Sequence, residues 1–559
     1  MQPEIVERIA DWWKHRFGHL TGVFALLFAI SWLAYGVHAA SMLHSMDDWW
    51  FGHEQERIGH RVVSAGRWMH GLAITFLSGG HIAPGVTLFT MLALQAMAIA
   101  LLLHEMGCRD RLIAFFAMAL LLFHPMGIES VQIEQNHIAV GLSHLLGIGG
   151  GILAWRAARH RPSDKADLAR AGVNATGAIA ALTVGAAGFQ QFIVLGPIAF
   201  FALWAAETLR EDETGGPTTL RDAIRLVIWR LGMIGAIFVL GTLSYYASAF
   251  AAKALVGTET VLQYYDIATG FVSNANILAL KGESLPRVIL KFWGEAQHLI
   301  AWPETLALIA ITLLACLAGL RAIRLCSGVP TRMMAAVGWG GALGTALLLP
   351  FVLPGIRGHD AYSFNALAPL AFSQVVLFTL AATGAAGRAL AWLPLLLGAY
   401  VTANFVTAQN ASAVVALNDN RRDLLTLNRL LLDIEKTDVH IAARKDGGTV
   451  RLLLIGAKPA PAVKGPYRID DTAPPLASSR ADCSLFSCGL GQVVHGLMLI
   501  SYDPVRFEDV DPARLDDPLR EEALARVADA RPWPDPSSVM TLSNGILMIF
   551  VGEAEPSED

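Results

Sequence analysis

Charge is scarce in this chain: Asp, Glu, Lys and Arg make up 16% of its 559 residues, against 54% hydrophobic residues and a mean hydropathy of +0.47. So small a charged fraction excludes an ordinary soluble domain and points to a polytopic membrane protein. A basic excess is missing too. The net charge is −5, and no nucleic-acid partner is indicated. Cysteine is rare, with five in all. Cys108, Cys316 and Cys326 fall in or beside apolar runs, Cys483 and Cys488 sit in "DCSLFSCG", and no His or Cys nearby completes a zinc set. Internal repeats are absent as well, which removes one sign of a transporter built from matched halves.

Long apolar runs are what the sequence has instead. Those long enough to cross roughly 30 Å of hydrocarbon fall near residues 20–43, 85–105, 111–128, 136–155, 172–187, 189–207, 226–250, 301–320, 333–353, 364–384 and 389–408. They predict about eleven spans. The first is longer than the apolar core of a signal peptide and reads as a retained helix. Lys and Arg gather in the loops around 109–111, 156–170, 210–225 and 321–332. Basic residues favour cytoplasmic loops, so these loops and the N-terminus are expected inside, in a multi-pass protein of a bacterial inner (plasma) membrane.

Residues 409–559 have another texture, with an amphipathic start ("RRDLLTLNRLLLDIEK"), three short β-like runs ("TVRLLLIG", "HGLMLISY", "GILMIFVG") and Pro-rich turns. The expectation is an all-α transmembrane domain over 1–408 followed by a small α/β domain over 409–559, exported to the periplasm. Exported, Cys483 and Cys488 would form a disulfide; in the cytoplasm the same pair would indicate metal or redox chemistry.

The most polar boundary in the membrane part is "SMDDWWFGHEQERIGHRVVSAGRWMHG", Ser45 to Gly71, in the first outer loop (44–70). His53, Arg57, His60, Ser64 and Arg67 recur at intervals of three and four, beside an apolar stripe of Ile58, Val62, Ala65 and Met69. That spacing predicts an interfacial helix with a basic face. Guanidinium groups match phosphate oxygens in a planar fork, so Arg57, Arg61 and Arg67 are candidates for gripping a phosphate. Asp47 and Asp48 stand at the mouth of the helix. Adjacent carboxylates repel, while neighbouring guanidiniums favour the ionised form, a setting suited to a general base. The blander reading has one aspartate capping the helix and the arginines snorkelling to headgroups.

The acidic pair in "MDDWW", the following arginine-bearing segment that ends in "GRW", and weaker echoes in "GFQQF" and "PGIRGHDAYS" resemble the GtrII-type membrane glucosyltransferases. The resemblance covers roughly residues 20–410 and leaves 409–559 without a matching motif. It implies a GT-C-like fold and inverting transfer of a sugar, with glucose the first candidate, from a polyprenyl-phosphate donor to a surface glycan acceptor on the outer face of the membrane. It further implies Asp47 or Asp48 as the base, with Arg57, Arg61, Arg67 and Arg357 on the donor phosphate.

His60, Glu129, Glu134, Asn136 and Gln190 are the sugar-contact candidates, although plain loops between spans would look the same. A divalent cation, Mg or Mn, is left open, with the acidic pair plus Glu129 or Glu134 as oxygen ligands. Two other classes stay in view. One is a transporter or flippase of a lipid-linked anionic substrate; the other is a non-catalytic membrane subunit that presents its C-terminal domain to a partner.

Overall fold

The computed structural model describes residues 11, 13–40, 66–77, 84–125, 136–159, 161–162, 164–208, 218–256, 302–352, 356–357, 361–362, 368–384, 387–456, 490–501, 505–510 and 515–552. Asp47, Asp48, Arg57, His60, Arg61, Glu129, Glu134, Cys483 and Cys488 lie outside the described residues. The chain divides into two compact units, the first running to Ala411 and the second beginning at Ser412.

The first unit contains α1 (Thr21–Ala40), α2 (Trp68–Leu72), α3 (Pro84–Glu105), α4 (Arg111–Leu122), α5 (His137–Ala158), α6 (Lys165–Gly188), α7 (Leu195–Thr208), α8 (Leu220–Val256), α9 (Trp302–Leu325), α10 (Val329–Val352) and α11 (Ala368–Thr383). It also holds the first part of α12 (Gly387–Glu435) and a two-residue hairpin, β1 (Ile356–Arg357) with β2 (Ala361–Tyr362). Among the described residues, eight helices are long and apolar enough to cross a membrane. This is the architecture of a multi-pass helical membrane protein. Two more of the expected runs form shorter apolar helices, Arg111–Leu122 and Pro369–Thr383, and the run at 389–408 lies within α12.

Polar residues at the chain reversals set where these helices begin and end. Asp110 accepts the backbone N–H of Leu112 at 2.7 Å and of Ile113 at 3.2 Å, which starts α4. Asp164 does the same for α6 by accepting from Asp167 N at 2.7 Å. The far end of α4 is capped by side chains from other helices. Tyr35 of α1 donates to the Leu122 carbonyl, and Gln409 Nε2 of α12 donates to the His124 carbonyl at 2.9 Å. Hydrocarbon offers no water to these carbonyls, so they must be satisfied from within.

Helix α5 packs against α3, α6 and α7, and its glycines permit the approach. A Cβ built on Gly151 would lie 2.4 Å from the Gly196 carbonyl oxygen and 2.8 Å from Ala199 Cβ, while one on Gly149 would meet nothing within 4 Å. The obstacle at Gly151 is backbone, which cannot rotate away. Gly151→Ala is therefore expected to lower the stability of the folded protein by roughly 1–3 kcal/mol. Gly149→Ala should leave stability unchanged or raise it by up to about 1 kcal/mol. Thermal midpoints of the purified variants would check this; equal behaviour at the two positions contradicts the packing argument.

The second unit has α13 (Asp438–Asp446), β3 (Thr449–Ile455), α14 (Leu490–Ile500), β4 (Arg506–Asp509), α15 (Asp517–Asp529), β5 (Val539–Thr541) and β6 (Leu547–Phe550). The strand order is β4-β3-β6-β5; β3 runs parallel to both neighbours and β5 antiparallel to β6. Alternation with period two splits the central strands between two cores. Val450, Leu452, Leu454, Leu547 and Ile549 face the core built with Leu427, Leu430 and Ile434 of α12, while Leu453 and Met548 face one that includes Ala523 of α15.

Two of the three β-like runs are strands, in β3 and β6. The third, "HGLMLISY", differs: its residues to Ile500 finish α14. A short apolar run does not distinguish strand from helix. Here Leu490, Val493, Val494 and Leu497 share one helical face, and the last three are buried. Glu522 ties α15 to the β5–β6 turn by accepting from the Ser543 amide at 3.1 Å and from the Ser543 hydroxyl at 2.6 Å. Those bonds hold its carboxyl below the usual carboxylate range.

Candidate functional site

The site grows from Gly66. Its φ is +76°, and a Cβ there would fall 2.7 Å from the Tyr245 hydroxyl. Only glycine combines that left-handed backbone with so close an approach. Arg67 follows with non-helical φ −99° and ψ 49° and stands as N-cap of the short helix α2. The basic stripe expected to run unbroken to Arg67 is therefore interrupted at Gly66, because a positive φ breaks the right-handed phase that the spacing assumed. Trp68 fixes the segment against α8: its indole Nε1 donates to Ser248 Oγ at 3.1 Å, and Ser248 Oγ donates to the Tyr245 carbonyl at 2.8 Å.

Opposite this segment, α6 ends at Gly188 and the chain turns through extended Phe189 into the 3-10 turn Gln190–Val194. The Arg67 guanidinium lies 4.6 Å over the Phe189 ring, and the buried His70 ring lies 5.3 Å from the same ring. Stacking uses the flat face of a guanidinium and leaves its edge, where the N–H groups are, directed toward other partners. Gly188 allows the convergence, since a Cβ there would collide with Ser143 Oγ of α5 and with Met69 Cε. Gln190 and Gln191 are both buried, so the turn is no wet loop, and Gln190 Nε2 comes within 3.6 Å of the Gly66 Cβ position. Among the described residues Gln191 Oε1 is buried without a hydrogen-bond partner, which carries a desolvation cost.

A second polar layer lies between α3 and α5. Thr87 Oγ1 meets His137 Nδ1 at 2.9 Å, and Gln95 Nε2 meets His144 Nδ1 at 3.3 Å, with the Val140 carbonyl 3.0 Å from the same nitrogen. His144 packs edge-on against Phe192 at 4.5 Å. Asn136 is buried at the start of α5, where its side chain makes no capping bond.

Of the residues singled out in the sequence, Arg67 and Gln190 are thus brought together. Asn136 stands one position ahead of His137. Arg357 lies in the β1–β2 hairpin, paired through its backbone with Ala361. His70, Tyr245, Ser248 and His144 carried no sequence signal strong enough to single them out, while Phe189 belongs to the quoted "GFQQF". Among the described residues, no three His, Cys, Asp or Glu side chains gather as metal ligands; the carboxylates considered for a cation lie outside them. No protein-family model matches the chain, no curated protein is similar to it, and no solved structure matches it.

Proposed function

We propose that the chain is an inverting GT-C-type membrane glycosyltransferase that moves a sugar, glucose first among the candidates, from a polyprenyl-phosphate donor to a hydroxyl of a surface glycan. The observation that carries this reading is the Arg67 cluster. A planar cation stacked on Phe189, with Gln190 and His70 beside it, stands at the end of a bundle of apolar helices. Lipid phosphates lie at such a depth, and the planar guanidinium is the side chain that matches phosphate oxygens.

The reading places this end at the outer face of a bacterial inner membrane, with about eleven spans, the N-terminus inside and residues 409–559 in the periplasm. Asp47 or Asp48 removes the acceptor proton. The acceptor oxygen attacks the anomeric carbon in line, the bond to the phosphate oxygen breaks, and the lipid phosphate leaves with the electron pair. Arg57, Arg61, Arg67 and Arg357 offset the charge that develops on it. His60, Glu129, Glu134, Asn136 and Gln190 then contact the sugars.

The test is purified protein in lipid, given polyprenyl-phosphate glucose and a panel of other lipid-linked sugars with glycan acceptors. Transfer from one donor with inverted configuration is expected; no transfer from any donor counts against the proposal. Arg67→Lys keeps the charge and loses the fork, so it should raise the donor KM by about tenfold, the worth of one charged hydrogen bond. Its thermal midpoint should stay near that of the parent.

A flippase is the second reading, and the polar pairs inside the α3–α5 interface favour it. Polar and ionisable groups within membrane helices often line substrate or proton paths, and His144 lies about 10 Å inside α5 by helix rise. Movement of a labelled lipid-linked sugar across vesicles, with no new glycosidic bond, would select it.

A further inference from the structure

At the other end of α5 from His137, a small pocket opens between the ends of α3, α5 and α7. It is lined by Glu105, Trp155, Arg156, Arg159, Leu203 and Glu207. Trp155 and Leu203 are buried and form an apolar floor. The charges are layered above it. Glu105 pairs with Arg156, and Glu207 pairs with Arg159 at 2.8 Å; the carboxylate side chains are 20% and 14% exposed, the arginines 40% and 50%. The acids lie deep and the guanidiniums form the rim.

Glu207 has no charge to spare. Its other oxygen accepts from the buried Arg230 at 3.0 Å. Arg159 and Arg230 thus share Glu207, while Arg156 has Glu105. Arg159 reaches Glu207 through Nε, and its side chain is half-exposed at the rim. The glutamates hold the arginines in place, and a cation fixed in advance loses little entropy on binding an oxyanion.

We propose that this pocket binds the phosphate of an anionic phospholipid headgroup, with Arg156 and Arg159 as the donors and Trp155 and Leu203 against the glycerol end. Basic pockets between membrane helices at the headgroup level take such lipids, and an apolar floor under a cationic rim fits an amphiphile better than a free ion. The proposal stands apart from sugar transfer, since the pocket and the Arg67 cluster lie at opposite ends of α5.

The test uses the full chain in discs of phosphatidylcholine alone, of phosphatidylcholine mixed with phosphatidylglycerol, and of phosphatidylcholine with inorganic phosphate added. Phosphatidylglycerol should raise the thermal midpoint of the parent protein, because a ligand that binds only the folded state stabilises it by mass action. The combined variant Arg156→Gln, Arg159→Gln should lose most of that increment, and inorganic phosphate should not reproduce it. An increment kept in full by the variant overturns the proposal, as does an equal increment from inorganic phosphate, which would mark a site for soluble phosphates. Should the variant fail to fold, a photoreactive phosphatidylglycerol applied to the parent protein decides the matter. Label on the peptides carrying Arg156–Arg159 or Leu203–Glu207 is expected, and label confined to other segments overturns the site.

Discussion

Asp47→Asn or Asp48→Asn is expected to reduce sugar transfer per folded molecule by roughly 10²- to 10⁴-fold, the usual contribution of a positioned general base. Asparagine keeps the size and most hydrogen bonds of aspartate but holds no proton-accepting charge. The acceptor hydroxyl would then attack without losing its proton, so the loss should fall on kcat while the donor KM moves little. Only one of the two aspartates is expected to matter so much, because neighbouring carboxylates share one task poorly: ionising one disfavours ionising the other. The competing account makes a different forecast. If either residue merely caps a helix, its loss costs about 0.5–2 kcal/mol of stability, and turnover per folded molecule is unchanged. Transfer measured against the folded fraction separates the two, and near-normal turnover in both variants would remove the acidic pair from the mechanism.

The membrane part was legible because its signal is additive. Apolar residues summed over twenty positions exceed any local ambiguity, and α3, α5, α8, α9 and α10 follow the runs read from the sequence. Short segments were less legible. "HGLMLISY" looks like a strand until Leu490, Val493 and Val494 upstream are added to the helical face. The basic stripe met a limit of the same kind at its end, its residues before Gly66 lying outside the described ones. Spacing of three and four assumes a continuous helix, and Gly66 with its positive φ ends that assumption one residue before Arg67.

Tertiary pairings were the least legible. "GRW" and "GFQQF" each attracted notice, yet nothing in either motif states that Arg67 stacks on Phe189 or that Gly188 makes room for Met69. Thr87, Gln95 and His144 are single polar residues in apolar runs, and they gain meaning only in two hydrogen-bonded pairs across one interface, the first of them with His137. The arginines near residues 156–170 informed orientation alone. That Arg230 joins them through Glu207, from within the apolar run of α8, depends on how four helices meet.

Glu207→Gln is expected to be the most destabilising single change at that meeting point. Arg230 is 1% exposed, donates to the Arg159 carbonyl at 2.9 Å, and lies 4.7 Å and 5.0 Å from the rings of Trp155 and Trp204. The aromatic faces and the carbonyl attract the cation but supply no full countercharge. Removing the carboxylate charge breaks the ion pair between Glu207 and the buried Arg230, and breaking a buried pair from one side typically costs 3–5 kcal/mol. Arg230→Met should be milder. Glu207 would still hold Arg159 at 2.8 Å, and methionine fills much of the space between the two tryptophans with a flexible apolar chain. The double variant Glu207→Gln, Arg230→Met should then be more stable than Glu207→Gln alone, because the buried cation that Glu207 neutralised is gone. A double-mutant cycle on thermal or denaturant midpoints reads this coupling directly. If the two single losses simply add, the ion pair is not what holds Arg230 inside the bundle, and its burial must rest on the tryptophans and the Arg159 carbonyl instead.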